Sequence, residues 1–223
     1  MNMNVELSVF LKGADLVAET AYLTLIDKMR FEGRLFNLKR FDFFRFDIDC
    51  DRPEQTASDL KNLLDRQSTF YNRNKHGHVL RCRWEGGEFR EGPEMDGLRR
   101  RFSGEIPKPD DFKKVTEFGS RRTGEKLIIE RKRLFLVESL VEDRDNALRS
   151  SLAGKLKAGL GGVPVTVPSS GTLWWLLLVA DSETEARATA EEIIVSERRD
   201  RGLLLNPNYQ RFQIASIAPV EPY

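Results

Sequence analysis

Histidine, cysteine and methionine are scarce in this chain, at two, two and four among 223 residues. So few cysteines exclude a disulfide scaffold, and Cys50 and Cys82 lack the spacing of a zinc site. Each lies in or beside a strand-like run, which reads as a buried free thiol. The two histidines form a His76-x-His78 pair with no third ligand at metal-binding spacing. Excess charge is also missing: 36 basic and 35 acidic residues leave a net +1. That balance removes any global attraction to nucleic acid or to an anionic membrane, so neither is expected as a partner. The longest apolar run, Leu173 to Ala180, falls far short of the roughly 20 residues a membrane helix needs. The opening residues carry no basic segment followed by an apolar one, so a secretory signal is not expected. These features predict a cytoplasmic protein.

What is present is strong patterning. Val5, Leu7, Val9 and Leu11 alternate with polar neighbours, a half-buried strand. From Asp15 to Met29 the period lengthens, and Ala18, Ala21, Tyr22, Leu25 and Met29 share a helical face. Leu35 to Asp49 reads as two short strands or one bent hairpin, with Phe44, Phe46 and Ile48 inward. Asp51, followed by Pro53 and Glu54, reads as a helix start with Asp51 as the cap. Ala57, Leu60 and Leu64 give that helix its buried face. His78, Leu80, Cys82 and Trp84 then share one side of a strand.

The same order recurs in the second half. Leu134 to Val141 is a strand, and Asp145 to Leu160 a helix with leucines spaced by four. Val163 to Val167 and Leu173 to Ala180 read as strands flanking a Pro168-Ser169-Ser170-Gly171 turn. Ser182 and Glu185 form a capping box ahead of the next helix. Asn206-Pro207-Asn208 precedes a last strand, as Asn72-Arg73-Asn74 does in the first half. The chain is therefore expected to be α+β: two ferredoxin-like βαββαβ repeats, each an antiparallel sheet with helices on one face. The expected division is 1–84 as first repeat, 85–126 as polar linker or long loop, and 127–223 as second repeat. Arg99-Arg100-Arg101 and Arg121-Arg122 in the linker have acidic neighbours and read as a solvated tether. Apolar residues on the open sheet faces, Trp174 and Trp175 above all, predict an intrachain pseudo-dimer in which one repeat covers the other, the sheets facing each other or joined edge to edge.

Within Ser182–Ile214, Leu203, Leu204, Asn206, Pro207, Phe212 and Ile214 follow an apolar-acidic helix. This pattern resembles the C-terminal half of the small PurS subunit of phosphoribosylformylglycinamidine synthase. The opening strand ends in Leu11-Lys12, again similar to that family. The first half departs from the pattern, with Asn72-Arg73-Asn74 where the family has Asn-Pro. The resemblance implies a fused pair of PurS-like repeats acting as a non-catalytic accessory subunit of de novo purine biosynthesis. It would bridge synthetase and glutaminase subunits in an ATP-dependent amidotransferase complex. It implies Lys12, Asn206 and Pro207 as motif or interface residues, no catalytic residue, no cofactor, and further association of two chains as homodimers.

Two other classes stay open. Asp42, Asp47, Asp49 and Asp51 are the densest carboxylate cluster. Asp47 and Asp49 share a strand face and could hold a divalent cation, as in metal-dependent nucleotide enzymes of the palm type. A polar strand face is the simpler reading of the pair. A ligand- or protein-binding regulatory module on the same fold is the third class. Gly159 to Gly162 ends a helix rather than starting one, which suits a stop signal and not a phosphate loop.

Overall fold

A computed structural model describes residues 1–104, 133–195 and 202–220. It shows an α+β chain whose described residues contain five helices and a seven-stranded antiparallel sheet. In chain order the elements are β1 (Asn2–Leu11), α1 (Leu16–Asp27), β2 (Leu35–Asp49), α2 (Pro53–Arg66), β3 (His76–Trp84), β4 (Gly87–Glu91), α3 (Met95–Gly104), β5 (Arg133–Asp143), α4 (Asn146–Gly159), β6 (Val165–Ala180), α5 (Glu183–Ile194) and β7 (Gln210–Val220). The strands are ordered β4-β3-β1-β2-β6-β5-β7.

Each half thus runs strand, helix, long strand, helix, strand. The paired middle strands expected in each half are single strands of 15 and 16 residues. At about 3.3 Å per residue each spans about 50 Å, more than twice the usual strand length. In β6 the expected turn is extended backbone. Ser169 and Ser170 are buried. The Ser169 hydroxyl hydrogen-bonds the buried Glu142 carboxylate, which gives this polar stretch a partner inside the sheet. Gly171 has no positive φ, the conformation a tight hairpin turn would ask of it.

The helix ends follow their local chemistry. Asp15 and Asp145 cap α1 and α4 in the same way, each accepting from the N–H groups two and three residues on. Asp51 does not cap α2. Arg52 occupies that position without a side-chain bond, and Pro53 opens the helix. The Ser182 hydroxyl accepts from Glu185 N–H, while the Glu185 carboxylate accepts from Asp181 N–H. The capping box is therefore made, with its return bond one residue early.

The chain packs as two compact units, and each draws on both halves of the sequence. The first comprises 1–14, 41–95 and 142–173; the second comprises 15–40, 96–141 and 174–223. The expected division at 85–126 is therefore not the division between the units. Each long strand explains why. Phe41–Asp49 and Val165–Leu173 fall in the first unit, while the remainders of β2 and β6 fall in the second.

In the first unit, Met3, Val5, Leu7, Phe46, Ile48, Leu80 and Cys82 meet Ala57, Leu60 and Leu64 of α2 and Leu152 and Leu156 of α4 in one core. The two helices approach closely at Gly159, where an added Cβ would lie 2.5 Å from the Leu63 side chain. In the second unit, Ala18, Ala21 and Leu25 of α1 and Ala186, Ala190 and Ile193 of α5 pack on Val137, Trp174, Leu176 and Leu178. Trp174 is thus covered by helices.

Trp175 points to the opposite sheet face and is buried by α3, with Phe102 at 5.8 Å between ring centroids. This corrects the expectation that helices occupy one face only. It also corrects the reading of 85–126 as a tether, because β4 and α3 lie inside it. Three apolar residues, Phe89, Leu98 and Phe102, are enough to seat these elements. The rest of the segment, including Arg121 and Arg122, lies outside the described residues.

Candidate functional site

The terminal motif forms a hydrogen-bonded turn anchored in the second unit. Leu203 N–H donates to the Ile193 carbonyl at 2.9 Å, and Leu205 N–H to that of Ile194 at 3.0 Å. Leu204 and Leu205 are buried. Asn206 then makes the turn. Its side-chain oxygen accepts from Asn208 N–H at 3.1 Å, and its N–H donates to the Gln210 side chain at 3.0 Å. Its carbonyl accepts from the N–H groups of Tyr209 and Gln210. Asparagine suits the position because its short amide reaches its own backbone two residues on. Pro207 is exposed, and Tyr209 is 70% exposed.

The first unit holds the same turn. The Asn72 side chain accepts from Asn74 N–H at 2.9 Å, and Asn72 N–H donates to His76 Nδ1 at 2.9 Å. The Asn72 carbonyl accepts from Lys75 and His76 N–H. Gln210 and His76 therefore play one role in two side-chain chemistries. Lys12 belongs to this turn: its ammonium donates to the Arg73 carbonyl at 2.8 Å, and its N–H to the Lys75 carbonyl. The residues implied by the resemblance thus fall on two separate turns, Lys12 in the first unit and Asn206 and Pro207 in the second.

Asp47 and Asp49 do share a strand face, opposite Asn4 and Asn2 of β1. Asp47 accepts from the Asn4 amide at 2.9 Å, and Asp49 pairs with the N-terminal ammonium at 3.2 Å. Among the described residues, no group of three or more His, Cys, Asp or Glu side chains is placed to hold a metal ion. Changing both to Asn is expected to leave calorimetric titrations with Mg²⁺, Mn²⁺ or Ca²⁺ flat before and after the change. A divalent-ion isotherm abolished by the double change would instead establish a cation site.

Cys50 and Cys82 are free and buried. Burial pushes the Cys82 thiol up to about 12, with Cys50 nearby adding to the effect. Cys82 is therefore not a nucleophile at neutral pH.

His78 stacks on Tyr71 at 4.4 Å between centroids, and Tyr71 donates its hydroxyl to Asp65 at 2.8 Å. Asp65 also sits 3.5 Å from Arg73 and 4.0 Å from Lys61, which reaches Glu91 at 3.6 Å. Burial lowers the His78 pKa, against the opposing pull of Asp65 and Glu91. The folded state therefore holds this imidazole neutral where the unfolded chain begins to bind a proton. Stability is expected to fall as pH drops below His78's ordinary 6.5, because the unfolded state then binds more protons. Thermal melts should show that loss in wild type and a smaller one in His78→Phe. Equal pH slopes in the two would remove His78 as the cause.

One feature of the first unit escaped the sequence pattern. A groove of about 760 Å³ runs between α4 and the start of β6, lined by Asn146, Arg149, Ser150, Gly154, Lys157 and Pro168 among others. Its lining includes two cations and no carboxylate. Arg149 donates to the Pro168 carbonyl at 2.9 Å and to the Asn146 side chain. Helix periodicity does not announce this meeting of α4 with Pro168, because it depends on packing.

No helix among the described residues is long and apolar enough to cross a membrane. Comparison of the chain with protein-family models, with curated proteins and with solved structures returned no match.

Proposed function

We propose that this protein is a non-catalytic accessory subunit of the PurS kind, bridging synthetase and glutaminase subunits in de novo purine biosynthesis. The observation that carries this reading is the Asn206 turn. Of the two motif leucines Leu204 is buried, beside Leu205, and Leu203 is exposed; the Asn206 bonds hold the turn's shape, and Pro207 and Tyr209 are left in solvent. A hydrogen-bonded turn with an exposed proline and tyrosine suits docking, because little conformational freedom is lost on binding. The expected βαββαβ repeat enters here as well. Each long strand counts as the two middle strands of its half, one part lying in each unit, so that one chain does what two copies would do.

The test is reconstitution with the synthetase and glutaminase from the same cell. Glutamine-dependent amidotransfer should require this chain and should fall at least tenfold with Asn206→Ala plus Tyr209→Ala in a folded variant. Full glutamine-dependent activity without this chain would end the reading. Among the alternatives, a regulatory binding module fits the same exposed turn and predicts binding without a change in amidotransfer. The palm-type enzyme would need the cation site at Asp47 and Asp49 that the calorimetry above tests.

A further inference from the structure

The groove beside α4 joins a row of donors to a strand edge. Asn146, Arg149, Ser150, Gly154 and Lys157 line it at helical spacing, so one stripe of α4 forms a wall. The other wall is Val165–Pro168. Successive strand side chains point to opposite faces, so a groove lined by four consecutive residues meets β6 along its edge. On the β5 side that edge runs on alone. Glu142 already meets Ser169 and β5 ends at Asp143, so Val165–Val167 lie past the end of β5. Arg149 is fixed in place by donating to the Pro168 carbonyl at 2.9 Å and to the Asn146 side chain. Three of the five N–H groups of its guanidinium remain for a ligand. Lys157 is exposed, with no ion-pair or hydrogen-bond partner among the described residues. The two cations stand eight residues apart, about 12 Å along the helix. Arg149 is tied toward Asn146, away from Lys157, so one compact anion does not reach both. Between them a Cβ added at Gly154 would meet nothing within 4 Å, which leaves room for a chain.

We propose that this groove binds an extended acidic peptide, which pairs with the β6 edge at Val165–Val167 and sets two carboxylates, four residues apart, against Arg149 and Lys157. In an extended chain, residues four apart point the same way and lie about 13 Å from each other, which matches the spacing of the two cations. Backbone pairing with the strand edge supplies the hold, and the charge-assisted bonds set register and sign. The inference does not rest on the proposed pathway role, since it follows from the groove alone.

Calorimetric titration of the full chain with the end-blocked peptide Ser-Glu-Val-Thr-Val-Glu-Ser tests it. Wild type should bind saturably, with an affinity that falls as NaCl is raised. Changing both peptide glutamates to glutamine should weaken binding at least tenfold. Changing the central threonine to proline should do the same, because it removes an N–H from the strand pairing. Gly154→Leu should abolish binding by filling the groove, and it should not lower the melting temperature, since leucine is the better helix former. Lys157→Glu should weaken binding at least tenfold and regain it with a peptide carrying one glutamate as lysine. Four outcomes would overturn the proposal. One is no saturable binding up to about 1 mM peptide. Another is binding that Gly154→Leu and Lys157→Glu leave unchanged, which places the contact elsewhere. A proline peptide as tight as its parent would show charge attraction without strand pairing. Displacement of the peptide by an equal concentration of inorganic pyrophosphate would show a small-anion site instead.

Discussion

Cutting the chain between Gly119 and Ser120, at an introduced site for a specific protease, is expected to leave a single particle. The two fragments should coelute on a sizing column in native buffer and part only in denaturant. The reason lies in the cores. Leu152, Leu156 and Val167 from the second half complete a core otherwise built from residues between Met3 and Cys82. Ala18, Ala21, Leu25, Phe31, Leu35 and Leu38 from the first half complete the other. Each large aliphatic side chain returned to water costs roughly 2 kcal/mol. Parting the halves would expose both sets together and break the β2–β6 neighbour relation. Fragments that separate freely after one cut would show that the halves are independent modules. Measuring the dissociation by dilution of the cut protein would put a constant on the association.

Removing Arg99 is expected to be among the most damaging single changes in the second unit. Arg99 makes two bonds to the Glu138 carboxylate, at 2.7 and 3.0 Å, and a third to Asp96 at 2.5 Å. The Glu138 side chain is only 8% exposed and also accepts from the Ser216 hydroxyl at 2.9 Å. Taking the guanidinium away leaves a buried carboxylate with a hydroxyl for company. Arg99 is itself 37% exposed, so water screens part of the pair, and breaking it costs about 1–2 kcal/mol, whereas replacing both partners by neutral groups costs less. Arg99→Met should therefore lower the denaturation midpoint strongly, and Arg99→Met with Glu138→Gln should recover much of the loss. Because Arg99 sits beside Leu98 and Phe102, α3 should loosen first, and Trp175 fluorescence should report it. A double variant no more stable than Arg99→Met would show that the arginine acts through packing and not through its charge.

The sequence by itself determined the local elements and their repetition. Alternation at Val5, Leu7 and Val9 marked β1, and all three are buried. The spacing of Ala18, Ala21 and Leu25 marked α1, and Asp15, Asp145 and Ser182 served as caps. The two Asn-x-Asn turns were legible as a pair because turn chemistry is local, fixed by an amide and its own backbone within four residues. The burial of Cys50 and Cys82 was legible from their places in or beside strand-like runs.

Only the tertiary structure decided how these elements are shared. The buried positions of β2 are Leu35, Leu38, Phe41, Phe43, Phe46 and Ile48, a phase that slips along the strand. A slipping phase looks like two short strands in sequence, and in space it is one strand serving two units. Pro168 to Gly171 looks like a turn, since nothing in the local sequence announces that Glu142 will meet Ser169. The choice of helix partners, α2 with α4 and α1 with α5, is set by which strand segments lie beneath them. Hydrophobic burial is non-directional and fixes that a face must be covered; which segment of the chain covers it is settled by shape and connectivity once the strands have paired.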